Sequence, residues 1–206
     1  IQPFVRVIIS KSDNIAKYVY MKRKSFIVPN GIDTEKFKSS TTNFRRELNF
    51  NENLKQILFL GSKKSVRKNI RLVQQAVSYL NRNDIELINP YPVSHEVIPK
   101  YLNSVNVLAV CSYMEGSPNV VKEAMACNCP IVATDVGDIK WVLGNVEGCY
   151  IASFQPEDFA KKLQEALKFS DTHQRTKGEQ RIKELGLSSE SVASRIKEIY
   201  DIALKK

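Results

Sequence analysis

Apolar residues in this chain alternate between short continuous blocks and longer stretches in which they recur every three or four positions. The blocks at 56–60, 105–110, 131–134 and 149–152, with Ile85 to Ile88, have the pattern of strands buried on both faces. Between them Leu72, Val73, Ala76, Val77 and Leu80 mark the buried stripe of a helix over 70–80. A second helix is predicted over 95–103, and a short one carries Trp141, Val142 and Leu143. A longer helix opens at Gln155-Pro156 and bears Phe159, Leu163, Leu167 and Phe169. Helices at 171–185 and 189–204 follow, the last with Val192, Ile196, Ile199, Tyr200 and Ala203 in register. Ahead of all these, 4–10 predicts a strand, Lys11 to Met21 a short helix, 26–28 a strand that Pro29 ends, and Asn43 to Leu48 another short helix. Strands alternating with helices at this spacing predict an α/β fold with a doubly wound parallel sheet, Rossmann-like, whose ligand site lies at the strand ends. There is no internal repeat.

The run from Val105 leads through Cys111 to Glu115, Gly116, Ser117, Pro118 and Asn119 into a short helical pattern. Ser117 before Pro118 predicts an N-cap and a helix beginning at Pro118. The helix should end near Cys127, because Asn128 can take the left-handed conformation and Pro130 cannot continue a helix. Val120 with Ala124 and Val121 with Met125 would pack, while Asn119 and Glu123 project together elsewhere. Backbone N–H groups around Gly116 to Asn119 would lie at the positive end of that helix, where a phosphate is favoured. Glu115 stands just before them, at the strand's carboxyl end. A carboxylate accepts hydrogen bonds and suits sugar hydroxyls, so Glu115 could hold a hexose and Glu123 the hydroxyls of a ribose. The ligand so described is a nucleotide-sugar.

At these residues the sequence resembles the retaining glycosyltransferases of family GT4, which have the GT-B fold of two facing Rossmann-like domains. Glu115 and Glu123 match that family's E-x7-E motif within Glu115-Gly-Ser-Pro-Asn-Val-Val-Lys-Glu123-Ala, and 126–138 is also family-like. The resemblance implies that Glu115 contacts the donor sugar, Glu123 the ribose, and Gly116, Ser117, Pro118 and Asn119 the sugar and diphosphate. Pro29-Asn30-Gly31-Ile32-Asp33 resembles the family's segment that leads from the acceptor domain into the donor domain.

The strand ending at Gly61 opens into a basic loop, 62–69, which suits a diphosphate. The family places an Arg directly after that glycine and a Lys some residues later. Lys68 matches the Lys, but Ser62 replaces the Arg, and Arg67 or Lys63 is the candidate for the second charge. The loop lacks the pattern of a P-loop, and Gly61 has no G-x-G-x-x-G partners, which argues against ATPases and dehydrogenases.

With 206 residues and 43% hydrophobic content, the chain is globular. No apolar run is long enough to span a bilayer, and a cytosolic setting is expected. Cys111, Cys127, Cys129 and Cys149 lack paired metal-ligand spacing, so reduced thiols are expected and no metal. Asp135 and Asp138 are expected to cap the helix after them, the alternative being contact with the donor. His95, without an acid partner, and His173 are expected at the surface, and Tyr91 as a plug in its proline-rich turn, the alternative being a stack on the base. The net charge of +9 would assist peripheral association with the inner face of the cell membrane. No nucleic-acid signature is present.

The resemblance divides the chain into residues 1–38, the tail of an acceptor domain and the crossing; 39–188, the nucleotide-sugar-binding domain; and 189–206, a helix returning to the junction. It implies the C-terminal half of a GT-B glycosyltransferase, moving a sugar to an acceptor hydroxyl in surface polysaccharide or glycoconjugate synthesis. The partners implied are a nucleotide-sugar donor, a saccharide or lipid-linked acceptor, and the missing N-terminal domain of the same protein. No cofactor or metal is implied, and Glu115 is the catalytic candidate. The alternatives are a non-catalytic nucleotide-sugar-binding module and a GT-B sugar-nucleotide epimerase.

Overall fold

A computed structural model of the chain describes residues 2–42, 44–173 and 175–205. Two short strands, β1 (Ile8–Ser10) and β2 (Ser25–Ile27), pair in parallel. The remaining strands are β3 (Lys55–Leu58), β4 (Ile85–Ile88), β5 (Val107–Val110), β6 (Ile131–Thr134) and β7 (Cys149–Ala152). They form one parallel sheet in the order β4-β3-β5-β6-β7. The helices are α1 (Asp13–Ala16), α2 (Ile70–Leu80), α3 (Ile98–Ser104), α4 (Asn119–Ala126), α5 (Ile139–Leu143), α6 (Pro156–Thr172), α7 (Gly178–Glu184) and α8 (Ser189–Leu204).

Alternate residues of each strand feed two separate cores, which is why the strands read as unbroken apolar blocks. Ile57, Phe59, Val107 and Ala109 pack with Val73 and Ala76 of α2 and with Phe159 and Leu163 of α6. Leu58, Leu108 and Val110 face the other way, onto Val121 and Met125 of α4, Ile139 of α5 and Ile182 of α7. The sheet is thus covered on both faces, a doubly wound α/β arrangement. A third, smaller cluster sets Val28 against Val192 and Ile199 of α8. It is tied by Ile32 N–H to Leu187 O at 3.0 Å and Ser189 N–H to Ile32 O at 2.8 Å.

The strand order decides where a ligand fits. From β3 the chain steps outward to β4, then crosses back to β5 on the other side and continues to β7. The connections leaving β3 and β5 therefore part in opposite directions, which opens a crevice at the carboxyl ends of those two strands. Leu58 pairs with Leu108, so the loops after Gly61 and Cys111 emerge side by side.

Several elements differ from expectation. The first strand begins only at Ile8, and the predicted 11–21 helix is the four-residue α1. Tyr18 and Tyr20 are exposed, so the stretch lacks the packed face that would sustain more turns. At 45–49 there are turns and no helix, because the Arg45 guanidinium reaches Ser104 O, Asn51 O and Leu54 O and pins the loop. Asn43, where that helix was to begin, lies outside the described residues, as does Gln174 within the predicted 171–185 helix. The latter region continues α6 to Thr172 and resumes as α7 at Gly178. The predicted 95–103 helix starts three residues late, at Ile98.

Candidate functional site

The crevice between β3 and β5 gathers three charges. Glu115, just beyond β5, accepts from Lys68 Nζ on Oε1 at 2.6 Å and from Arg67 Nη1 on Oε2 at 2.8 Å. Arg67 also donates to Met114 O at 3.1 Å, and Tyr113 N–H donates to Arg67 O at 2.9 Å, so the two loops are joined through backbone as well. Arg67 and Lys68 sit on a single 3-10 turn, Val66–Lys68. Gly61 lies beneath: a Cβ there would stand 3.3 Å from Lys68 Cγ, so the bare glycine leaves room for the lysine stem. Lys63 is exposed and Arg67, not Lys63, reaches the carboxylate. Burial by itself would raise the Glu115 carboxyl. Hydrogen bonds from Lys68 and Ser112, with the charges of Lys68 and Arg67, outweigh it and hold the group below its ordinary value. Glu115 is therefore an ionised acceptor.

The turn behind Glu115 is held by tertiary contacts. The helix starts at Asn119 with extended Pro118 as its N-cap, and the Ser117 side chain does not cap it. Ser117 Oγ instead turns inward. It donates to Asp138 Oδ2 at 2.6 Å and accepts from Asn30 N–H at 3.1 Å and from Lys122 Nζ. Asn30 Nδ2 also donates to Ser117 O at 3.0 Å. Lys122 is wholly buried, with Nζ 3.2 Å from Asp138 Oδ2. Desolvation lowers its pKa, and the Asp138 charge opposes that shift. Asp138 stands at the N-cap of α5 but gives no capping bond, because its carboxylate serves Ser117 and Lys122. Asp135, the other expected cap, is exposed and 4.0 Å from Lys140.

Above the turn, Gly137 has φ +64°, and a Cβ there would lie 2.6 Å from Gly116 O and 2.9 Å from Glu115 O. Only glycine permits that stacking of backbone on backbone. Among the described residues, no hydrogen bond leaves the backbone N–H of Gly116, Ser117 or Asn119. A cleft of about 540 Å³ opens over this surface, lined by Ile15, Arg67, Tyr113, Glu115, Gly116 and Gly137 among others. Its size falls within the range of small-molecule sites.

A family profile described as glycosyl transferases group 1 matches residues 56–168, more than half of the chain. The chain belongs to this family. Among solved structures, the fold of this group 1 glycosyltransferase chain is similar to sucrose-phosphate synthase from Thermosynechococcus elongatus, at TM-score 0.79 and 18% identity over 97% of this chain and 59% of that one. It is similar to a glycosyltransferase from Rickettsia africae, at TM-score 0.76 and 14% identity over 98% of this chain and 64% of that one. It is also similar to Anabaena HepE in complex with UDP, at TM-score 0.78 and 16% identity over 97% of this chain and 65% of that one. The chain thus spans about three fifths of the length of these proteins. No curated protein matches the sequence.

Of the expected site residues, Gly61, Arg67, Lys68, Glu115 and Gly116 come together in the group 1 domain. Ser117 is committed to the buried side and Pro118 is buried as the N-cap, while Asn119 is exposed on the first turn. Asn119 and Glu123 do not project together. Glu123 is 5% exposed and does not line the cleft that Glu115 lines. It meets His95 Nε2 at 3.0 Å, so His95 does have an acid partner. Tyr91 is exposed and plugs nothing. Lys122 was missed altogether, because its burial among residues 121–126 and its anion, Asp138, are set by the fold and not by the local sequence.

Burial pushes the thiols up, to about 12 for Cys111, Cys127 and Cys149 and about 11 for Cys129, so they stay protonated. Among the described residues no group of three or more His, Cys, Asp or Glu is placed to hold a metal ion. Nor is any described helix long and apolar enough to cross a membrane.

Proposed function

We propose that this chain is the donor-binding part of a retaining, GT4-type glycosyltransferase that moves a sugar from a nucleotide diphosphate to the hydroxyl of a saccharide or lipid-linked acceptor. The observation that carries the reading is the pairing of Lys68 and Arg67 with one ionised carboxylate at the β3/β5 crevice. Arg67 and Glu115 border a cleft beside unpaired backbone N–H groups, and Lys68 is bonded to Glu115. A diphosphate entering there meets two cations and a helix start, and it takes over the neutralisation that Glu115 provides in its absence. Glu115, released from part of that duty, accepts hydroxyls of the donor sugar. Glu123 reads the ribose.

In the reaction the bond between the anomeric carbon and the diphosphate oxygen breaks, and a bond to the acceptor oxygen forms on the same face. The leaving oxygen takes the acceptor proton, Lys68 and Arg67 stabilise the diphosphate, and no metal is required. Residues 1–38 then belong to the acceptor-side tail and crossing, 39–188 to the donor domain, and 189–206 to the helix returning to the junction. The setting is the cytoplasmic face of a membrane, in surface polysaccharide or glycoconjugate synthesis.

The test is a thermal-shift panel of UDP-, GDP- and ADP-sugars, beginning with UDP-glucose because HepE has been solved with it. A true donor at a hundred times its Kd should add about 2.7 kcal/mol of apparent stability. If no member of the panel raises the midpoint, the proposal fails. Glu115→Ala should abolish the advantage of nucleotide-sugar over bare nucleoside diphosphate, whereas Glu123→Ala should weaken both ligands.

A further inference from the structure

Glu123 is reached from the segment between β4 and α3 by one imidazole, and the bonds around that ring fix its chemistry. His95 Nε2 lies 3.0 Å from Glu123 Oε1, and His95 Nδ1 lies 3.1 Å from Lys36 Nζ. Lys36 also donates to Glu96 Oε1 at 2.5 Å, and the Phe37 ring packs 5.1 Å from the imidazole. An ammonium only donates, so Nδ1 must be the acceptor, and the ring proton must sit on Nε2, pointing at Glu123. The two contacts fit one tautomer of the ring. On the carboxylate, Oε1 is taken, while Oε2 accepts no hydrogen bond among the described residues. Other buried oxygens without partners are sealed from solvent, but Oε2 is not among them, so it keeps some contact with solvent.

We infer that His95, set in its tautomer by Lys36, is a positioning residue for Glu123, pinning Oε1 so that Oε2 is presented to the hydroxyls of the nucleotide's ribose. The inference rests on the ribose role proposed above for Glu123. A carboxylate free at both oxygens turns about its last torsion and loses that freedom on binding; one already pinned does not. The His95 side chain is 57% exposed against 7% for Glu123, so the ring forms the outer wall beside an otherwise covered acid. Nothing in the local sequence announces this, since Lys36, His95 and Glu123 are far apart along the chain.

The experiment titrates the chain with UDP, GDP and ADP, and carries the tightest of them forward with its 2′-deoxy form and with inorganic pyrophosphate. His95→Ala should weaken the ribonucleotide about tenfold, the worth of one oriented hydrogen bond to a charged group. It should weaken the deoxynucleotide less, and leave pyrophosphate within about twofold. His95→Gln, which can still offer an N–H, should recover most of the loss, and Lys36→Met should produce a smaller loss of the same pattern. An equal loss for pyrophosphate, absence of any loss, or no recovery with glutamine would overturn the inference. If Glu123→Ala weakens the ribonucleotide while His95→Ala does not, the positioning role alone is wrong. If Glu123→Ala changes nothing, the ribose assignment itself falls, and the positioning role falls with it.

Discussion

Two lysine–carboxylate pairs flank the same turn and differ in almost everything except their chemistry. Below it, Lys122 and Asp138 are 0% and 5% exposed, and Asp138 Oδ1 accepts no hydrogen bond among the described residues. Above it, Lys68 and Glu115 are 23% and 10% exposed, a half-exposed Arg67 shares the acid, and Glu115 and Arg67 line a cleft. Removing one member of a buried pair strands a charge without solvent, whereas partners at an open edge can be exchanged for water or for a ligand's phosphates. The lower pair therefore fixes Ser117 and the helix start, and the upper pair is available for exchange. A lysine paired with a carboxylate is sealed in on one side of this peptide segment and lies at an open edge on the other.

The comparison breaks most visibly at the lower pair. Asp138→Ala should cost about 3–5 kcal/mol in urea denaturation, and Lys122→Met in the same background should restore much of it, since the stranded ammonium is then gone. A loss below about 1 kcal/mol for Asp138→Ala would mean the buried pair does not hold the turn. At the upper pair the effect should fall on ligand and not on folding. Lys68→Ala should weaken inorganic pyrophosphate and the bare nucleoside diphosphate by about tenfold or more, with Arg67→Ala weaker because its side chain is half in solvent. Both should leave stability within about 1 kcal/mol.

The smallest effect is one of pH. Glu115 is held below its ordinary value of 4.5, so the folded state binds fewer protons than the unfolded one across that interval. Its contribution is complete above the unfolded value and fades as pH falls through the folded one. Glu115→Gln should therefore lower the denaturation midpoint at pH 6, and the gap to the parent should close on acidification. A gap that stays constant with pH would show that the carboxylate's charge is not what its neighbours hold.

Where structure is set by the local alternation of apolar and polar positions, the sequence was readable. The helix Ile70–Leu80 and the strands Ile85–Ile88, Ile131–Thr134 and Cys149–Ala152 have the predicted bounds, because the helix carries one clear apolar stripe and each strand is a short apolar block with clear punctuation. Motif spacing likewise named Gly61, Lys68 and Glu115, which the structure brings together. What failed was whatever depends on a distant partner. Ser117 looked like a cap until Asp138, Lys122 and Asn30 competed for its hydroxyl, and three tertiary bonds outweigh one local one. His95 looked solitary because Glu123 and Lys36 lie 28 and 59 positions away. The stretch from Lys11 to Met21 has helical spacing but too little to pack against, and local preference without burial sustains only one turn.

Asn30 grips Ser117 by both its backbone N–H and its carboxamide, although the two residues are 87 positions apart. The peptide leaving β2 and the peptide entering α4 are consequently splinted together. Any swing of the former must either drag the amides of the latter along or snap both bonds, so displacement near Pro29 and the aim of the groups around Gly116 are mechanically one variable.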